Sequence, residues 1–204
     1  MTYSLCFTKN TLIKFMKVVA IVQARMGSIR LPGKVLKKIN GRTIIQLLLQ
    51  RLSQSKEIDQ IIVATSNNPE NDKLQSTVDT LGYNCFRGSE KNVLSRYYEA
   101  AKFFNADIVV RVTGDCPLID SMLVDECIKG FKLFNVDYFS NTLPRSYPDG
   151  LDVSVMSFKT LKTANDKAIS NFDKEHVTSF IRNSSEFSKK SLQHNKNFSN
   201  LSGR

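Results

Sequence analysis

Hydrophobic and polar positions along this chain keep two rhythms, and they alternate. Short β-branched runs at Val18–Val22, Ile61–Thr65 and Asp107–Val112 read as buried strands. Between them the period is helical. Thr43 is placed to cap a helix through Ser53, with Ile44, Leu47, Leu48 and Leu52 on one face. Residues 70–81 predict a helix that Gly82 ends, and Tyr83–Phe86 a short strand. Ser89 opens a helix carrying Val93, Leu94, Tyr97 and Ala101. Further along, 120–134 is helical, Asp137–Ser140 is a short strand, and Asn141–Gly150 is a loop holding two prolines and a glycine. Leu151–Met156 alternates as a strand, and 157–169 and 173–182 predict helices. From Asn183 onward the chain is rich in Ser, Asn and Lys and poorly patterned. There is no internal repeat and no sharp domain boundary.

This alternation predicts an α/β fold, three layers α/β/α around a mostly parallel sheet. In such folds ligands lie beyond the carboxyl ends of the strands. Polar segments leave three predicted strands at that end: the loop from Arg25, then Thr65-Ser66-Asn67, then Thr113-Gly114-Asp115.

The loop Arg25-Met26-Gly27-Ser28-Ile29-Arg30-Leu31-Pro32-Gly33-Lys34 gathers two arginines, a lysine and two glycines. That composition points to a polyphosphate: glycine lets backbone N–H groups approach oxygens, arginine forks match phosphate, and lysine adds a point charge. It is not the common ATP/GTP loop. That motif has four residues between its glycines and a hydroxyl residue after the lysine, whereas here five separate Gly27 from Gly33 and Val35 follows Lys34. The alternative is a solvated basic turn.

Asp115 leaves a predicted strand end just after Gly114 and before Pro117. A carboxylate there suits magnesium, which takes one or two carboxylates together with substrate phosphates and water. The alternative is a cap on the following turn. Cys116 is not read as a nucleophile, because neither His176 nor His194 is near it in sequence.

Bulk properties narrow the partners. The chain has 204 residues, enough for one domain with a full core, and a formal net charge of +10. That charge favours anionic partners. It is scattered rather than blocked, with no zinc-finger spacing or aromatic RNA-binding signature, so nucleic acid is not expected. Four cysteines, Cys6, Cys85, Cys116 and Cys127, show no metal spacing and no disulfide framework, which makes a reducing cytoplasm the expectation. No stretch reads as a membrane span. Residues 1–15 are read as an N-terminal extension, either disordered or the product of an upstream start, and 16–204 as the domain.

The run Val22-Gln23-Ala24-Arg25 through Lys34 resembles the opening loop of the cytidylyltransferases that activate sugar acids. The nearest group is the spore-coat polysaccharide biosynthesis cytidylyltransferase-like family, relatives of 3-deoxy-manno-octulosonate and acylneuraminate cytidylyltransferases. Supporting matches are Arg87-Gly88-Ser89, Tyr97-Tyr98, Arg111 through Asp120, Tyr147 through Val153, and Glu175-His176-Val177-Thr178. The resemblance implies a Rossmann-like, glycosyltransferase-A-type nucleotidyltransferase. It would transfer CMP from CTP to a sugar acid, release pyrophosphate, use Mg2+, and be able to form a homodimer. It implies that Arg25, Arg30 and Lys34 hold the triphosphate. Ala24, Gly27 and Ser28 would add contacts, Asp115 would bind the metal, and Ser66, Thr113 and Gly114 would lie near the nucleoside. Arg87, Asp149, Asp152 and His176 would face the acceptor.

The chain also departs from the family. Relatives carry a later Val-Asp-x-Pro-type segment whose aspartate is a second metal ligand. None occurs here, so a shortened C-terminus is expected, with Asp152 as the candidate substitute. Asn92 stands where an acidic residue is more usual. The alternatives are a catalytically impaired nucleotide-sugar-binding remnant and a glycosyltransferase of the same fold; the latter would use an Asp-x-Asp triplet, and none is present.

Overall fold

A computed structural model describes residues 16–28 and 31–203. In chain order the strands are β1 (Val18–Gln23), β2 (Lys38–Ile39), β3 (Arg42–Thr43), β4 (Gln60–Ser66), β5 (Asn84–Gly88), β6 (Ile108–Thr113), β7 (Tyr138–Ser140), β8 (Ser154–Ser157) and β9 (Lys189–Ser191). The helices are α1 (Ile44–Leu52), α2 (Asp72–Thr80), α3 (Val93–Phe103), α4 (Ser121–Phe134), α5 (Phe158–Lys167), α6 (Asn171–His176) and α7 (Ser179–Asn183).

Seven strands form one sheet in the order β5-β4-β1-β6-β8-β7-β9, and β2 and β3 make a separate ribbon. Within the sheet β8 runs antiparallel to β6 and β7, and the remaining pairings are parallel. From β1 the chain steps outward through β4 to β5, then returns to place β6 on the other flank of β1. Such a reversal opens a crevice at the strand ends, the usual ligand site of open α/β sheets.

The strands read as unbroken apolar runs because both faces are covered. On one face Val18, Ala20, Val22, Val110 and Val112 pack on α1, α2 and α4. On the other, Val19, Ile21, Ile62 and Val109 pack on α3, α5 and α7. Helix α4 carries Gly130 where the ring of Phe139 presses in: a Cβ built there would collide with the ring tip.

Several local expectations shift. Helix α1 buries Ile45, Leu48, Leu49 and Leu52, a face rotated from the one predicted, and Ile44 and Leu47 are half-buried. The predicted start at Ser89 moves to Asn92, whose side chain accepts from Ser95 N at 2.9 Å, while the Ser89 hydroxyl accepts from Asn92 N at 3.0 Å. Both residues cap, and the later one begins the helix. The single helix expected over 173–182 is broken into α6 and α7 by Val177, buried at φ +57°. The unpatterned tail contributes β9, parallel to β7, and then folds back: His194 N donates to Ser146 Oγ and Gly203 N to Asp149 O.

Candidate active site

The basic loop is closed by its own backbone. The Met26 carbonyl accepts from both Ser28 N at 2.8 Å and Gly33 N at 2.9 Å. Gly33 is left-handed at φ +66°, the conformation glycine adopts without penalty, and it swings the chain into a 3-10 turn at Lys34–Leu36. Val35, fully packed, anchors that turn and leaves Lys34 facing the crevice. The loop is also tied to its neighbour. Met26 N donates to Asn71 Oδ1 at 2.9 Å, and Asn71 Nδ2 donates to Ser66 Oγ at 2.8 Å.

Gly114 brings the other wall close. Its N–H donates to Gln23 O at 2.7 Å, and an added Cβ would sit 2.8 Å from both Ala24 Cβ and Gln23 O. Only a residue without a side chain lets the β6 end lie so tightly on the β1 end. Tyr97 braces the same junction from below. Its hydroxyl donates toward Ile21 O and Val112 O, each 3.2 Å away, and burial pushes its pKa up to about 12, so it remains a donor at neutral pH.

Asp115 then emerges opposite the loop. Lys34 Nζ lies 2.6 Å from Asp115 Oδ2. Around this pair is a cavity of about 490 Å³, within the range of small-ligand sites. Gln23, Ala24, Arg25, Ser28 and Lys34 line it from the β1 side, and Arg111, Thr113, Gly114 and Asp115 from the β6 side. Glu175 and His176 close it from α6. Cys116 is wholly buried, with its sulfur 3.1 Å from Thr113 Oγ1, and has no access to a ligand.

Behind the cavity, Arg25 NH1 contacts Glu90 Oε1 at 2.7 Å. Burial raises the Glu90 carboxyl, but a hydrogen bond from Ser66, the hydrogen bond and charge of Arg25, and the charge of Arg96 outweigh it, so Glu90 sits below the ordinary carboxylate range. Arg96 is 1% exposed; NH1 donates to Ser89 O, while Nε and NH2 have no partner among the described residues. Gly88 makes room for it: a Cβ there would lie 3.0 Å from Arg96 Cγ. Two links therefore fix the loop in place, one from Met26 through Asn71 to Ser66 and one from Arg25 to Glu90.

The other predicted site residues are elsewhere. Gly27 is in the loop, packed against the end of Glu70 and outside the cavity lining. Ser66 is fully buried and acts through the network. Arg87 braces the turn after β4, donating to Ser66 O at 3.0 Å and Asn68 O at 2.8 Å and pairing with Asp72. Arg145 forks onto both oxygens of Asp152 at 2.6 and 2.7 Å and reaches Asp149 at 3.5 Å. Neither aspartate lines the cavity. Arg30 and residues 1–15, Cys6 among them, lie outside the described residues.

Sequence reasoning gave no role to Glu90, Asn71, Glu175 or Arg111. The one usable signal was the family match around Arg111 and Glu175. Glu90 and Asn71 meet the loop only through strand pairing.

Among the described residues no group of three or more His, Cys, Asp and Glu could hold a metal alone. The Asp115 carboxylate beside a basic crevice does suit a hard cation that takes most of its remaining ligands from phosphate and water. No helix among them is long and apolar enough to cross a membrane.

The cytidylyltransferase family pattern matches residues 19–200. An uncharacterized protein of Methanocaldococcus jannaschii is 43% identical over 166 residues, covering 81% of this chain and 67% of that protein. The spore coat polysaccharide biosynthesis protein SpsF of Bacillus subtilis is 34% identical, covering 81% and 70%. A 3-deoxy-manno-octulosonate cytidylyltransferase of Pelobacter propionicus is 34% identical over 116 residues, 56% of this chain and 44% of that enzyme. A solved cytidylyltransferase structure from Leptospira borgpetersenii superposes with a TM-score of 0.88 at 33% identity, over 92% of this chain and 80% of the other. With the pattern spanning nearly the whole sheet and both walls of the crevice, the chain belongs to the cytidylyltransferase family.

Proposed function

We propose that the chain transfers CMP from CTP to a hydroxyl of a sugar acid. The acceptor oxygen bonds to the α-phosphorus, the bond from that phosphorus to the bridging oxygen breaks, pyrophosphate leaves, and the hydroxyl proton passes to solvent. The observation that carries this reading is the 2.6 Å approach of Lys34 Nζ to Asp115 Oδ2 in one cavity with Arg25 and Ser28.

Phosphoryl chemistry of this kind is mostly positioning and charge stabilisation. Arg25, held by Glu90, is preset to receive phosphate oxygens as a fork. Lys34 follows charge as it builds on the departing pyrophosphate. Ser28 offers a hydroxyl at the same rim. Thr113 and Gly114 lie at the cavity wall beside Asp115. Asp115 would hold Mg2+, which when bound polarises phosphate oxygens and neutralises their charge. Glu175 and His176, which line the cavity from α6, would face the acceptor.

The test is pyrophosphate release with CTP and Mg2+ across a panel of sugar acids. Turnover is expected with at least one acid and with CTP over ATP, GTP and UTP. Sugar-acid-dependent release with another nucleotide and none with CTP would overturn the base assignment. No release with any acid would overturn the acceptor class.

A further inference from the structure

A second cavity of about 440 Å³ opens beside the first, and the two share Arg111 and His176. Leu143, Phe172, Thr178, Ser179, Arg182 and Asn183 complete its lining. It carries two arginines and no carboxylate in its lining. Among the described residues, neither Arg111 nor Arg182 forms an ion pair. The Arg111 Nε is buried with no hydrogen-bond partner. An unpaired buried donor on a charged group is costly, so the chain itself leaves the Arg111 guanidinium undercompensated at this cavity.

The backbone at this cavity is unusual too. Val177 is fully buried at φ +57°, ψ −57°, a region that β-branched residues avoid. Burying that side chain leaves His176 on one side and Thr178 on the other, both in the cavity wall. Strain held at such a junction points to function. The Phe172 ring lies 4.3 Å from the His176 ring and is 61% exposed, an apolar plate beside the cationic end.

We infer that this second cavity is the acceptor subsite, and that Arg111 and Arg182 recognise the acceptor's carboxylate. The inference rests on the proposed transfer to a sugar acid and adds which residues select the acid. The carboxylate lies between the two guanidinium groups. The C–H face of the sugar rests on Phe172 and Leu143. The sugar's reacting hydroxyl then points through the shared opening, past His176, into the triphosphate cavity.

The experiment uses the full chain, 3-deoxy-manno-octulosonate and N-acetylneuraminate, and the neutral carboxamide of each. Acceptor binding is measured by calorimetry, and acceptor KM and kcat at saturating CTP. The wild type is expected to favour acid over carboxamide at least tenfold in kcat/KM. Arg182→Gln and Arg111→Lys should collapse that preference to about twofold, chiefly through acceptor KM, with CTP KM in Arg182→Gln changed less than twofold. Arg111→Lys keeps the charge and loses the fork, so its loss separates geometry from net charge. Lys162→Gln, on the outer surface, should behave as wild type. A preference that survives both arginine changes, or an equal loss for acid and carboxamide, overturns the inference. So does a wild type that binds neither acid. Arginine-dependent acid binding without pyrophosphate release from CTP would leave the subsite standing and sink the transferase reading instead.

Discussion

The two adjoining cavities differ in how their charge is balanced. In the cavity around the basic loop Lys34 faces Asp115, and Arg25 is held by Glu90. In the neighbouring cavity Arg111 and Arg182 face no carboxylate. The first can hold Arg25 and Lys34 close together because each has a carboxylate partner, and on the proposed reading an incoming metal-bound nucleotide would exchange those partners. The second has no carboxylate in its lining, and on the inference above it would take the acceptor's anion without such an exchange. One fold thus offers two solutions to holding anions, one paired and stiff, the other unpaired and receptive.

The sharpest way to break this comparison is at the paired cavity. Lys34→Ala and Asp115→Ala should each lower CTP-dependent turnover by about a hundredfold or more, the scale for losing one preorganised charge. Steady-state pyrophosphate release checks this, and near-normal rates in both would remove the paired cavity from the chemistry. Next is Gly114→Ala, where the Cβ must displace the β1 end by several tenths of an ångström. A loss of about 2 kcal/mol in urea unfolding is expected, typical of overpacking, together with weaker nucleotide binding. If stability falls but CTP affinity holds, the two strand ends do not need their close approach.

Glu90→Gln tests whether pairing stiffens Arg25. CTP KM should rise about tenfold, equivalent to about 1.4 kcal/mol, with acceptor KM unchanged. The smallest effect is pH dependence. Glu90 has a folded pKa below its unfolded value near 4.5, so its contribution is complete above that value and is lost as pH falls through the lower folded one. Wild type should lose stability in acid more steeply than Glu90→Gln, measured by melting temperature from neutral pH down to about pH 3. Parallel curves would mean that the Arg25 pair contributes nothing.

The paired side was also the more legible in the sequence. Runs such as Val18–Val22 and Ile61–Thr65 advertise doubly covered strands, and a loop dense in Arg, Lys and Gly advertises phosphate. Lys34 and Asp115 could be assigned to one pocket because each follows a strand at the reversal point of the sheet. What stayed hidden depends on partners distant in the chain. Lys189–Ser191 has no apolar pattern because β9 is an edge strand with partly exposed side chains, recruited by β7 rather than by its own propensity. The break at Val177 had no signal at all, since valine gives no hint of a positive φ. Arg111 lies within a recognisable motif, yet its empty Nε is a property of packing. Asp152 and Arg145 illustrate the converse: a carboxylate with a plausible spacing turns out to be forked by an arginine seven residues away.

Gly130 has a practical implication for anyone wishing to make this protein hardier. Replacing a mid-helix glycine with alanine is a standard first step, since it normally raises helix stability by about 1 kcal/mol. Here the aromatic ring of Phe139 already fills the space that the new methyl would need. Alanine at 130 should therefore lower the melting temperature by itself and raise it only when Phe139 is trimmed to leucine in the same chain, so that two changes, each unfavourable alone, become useful together.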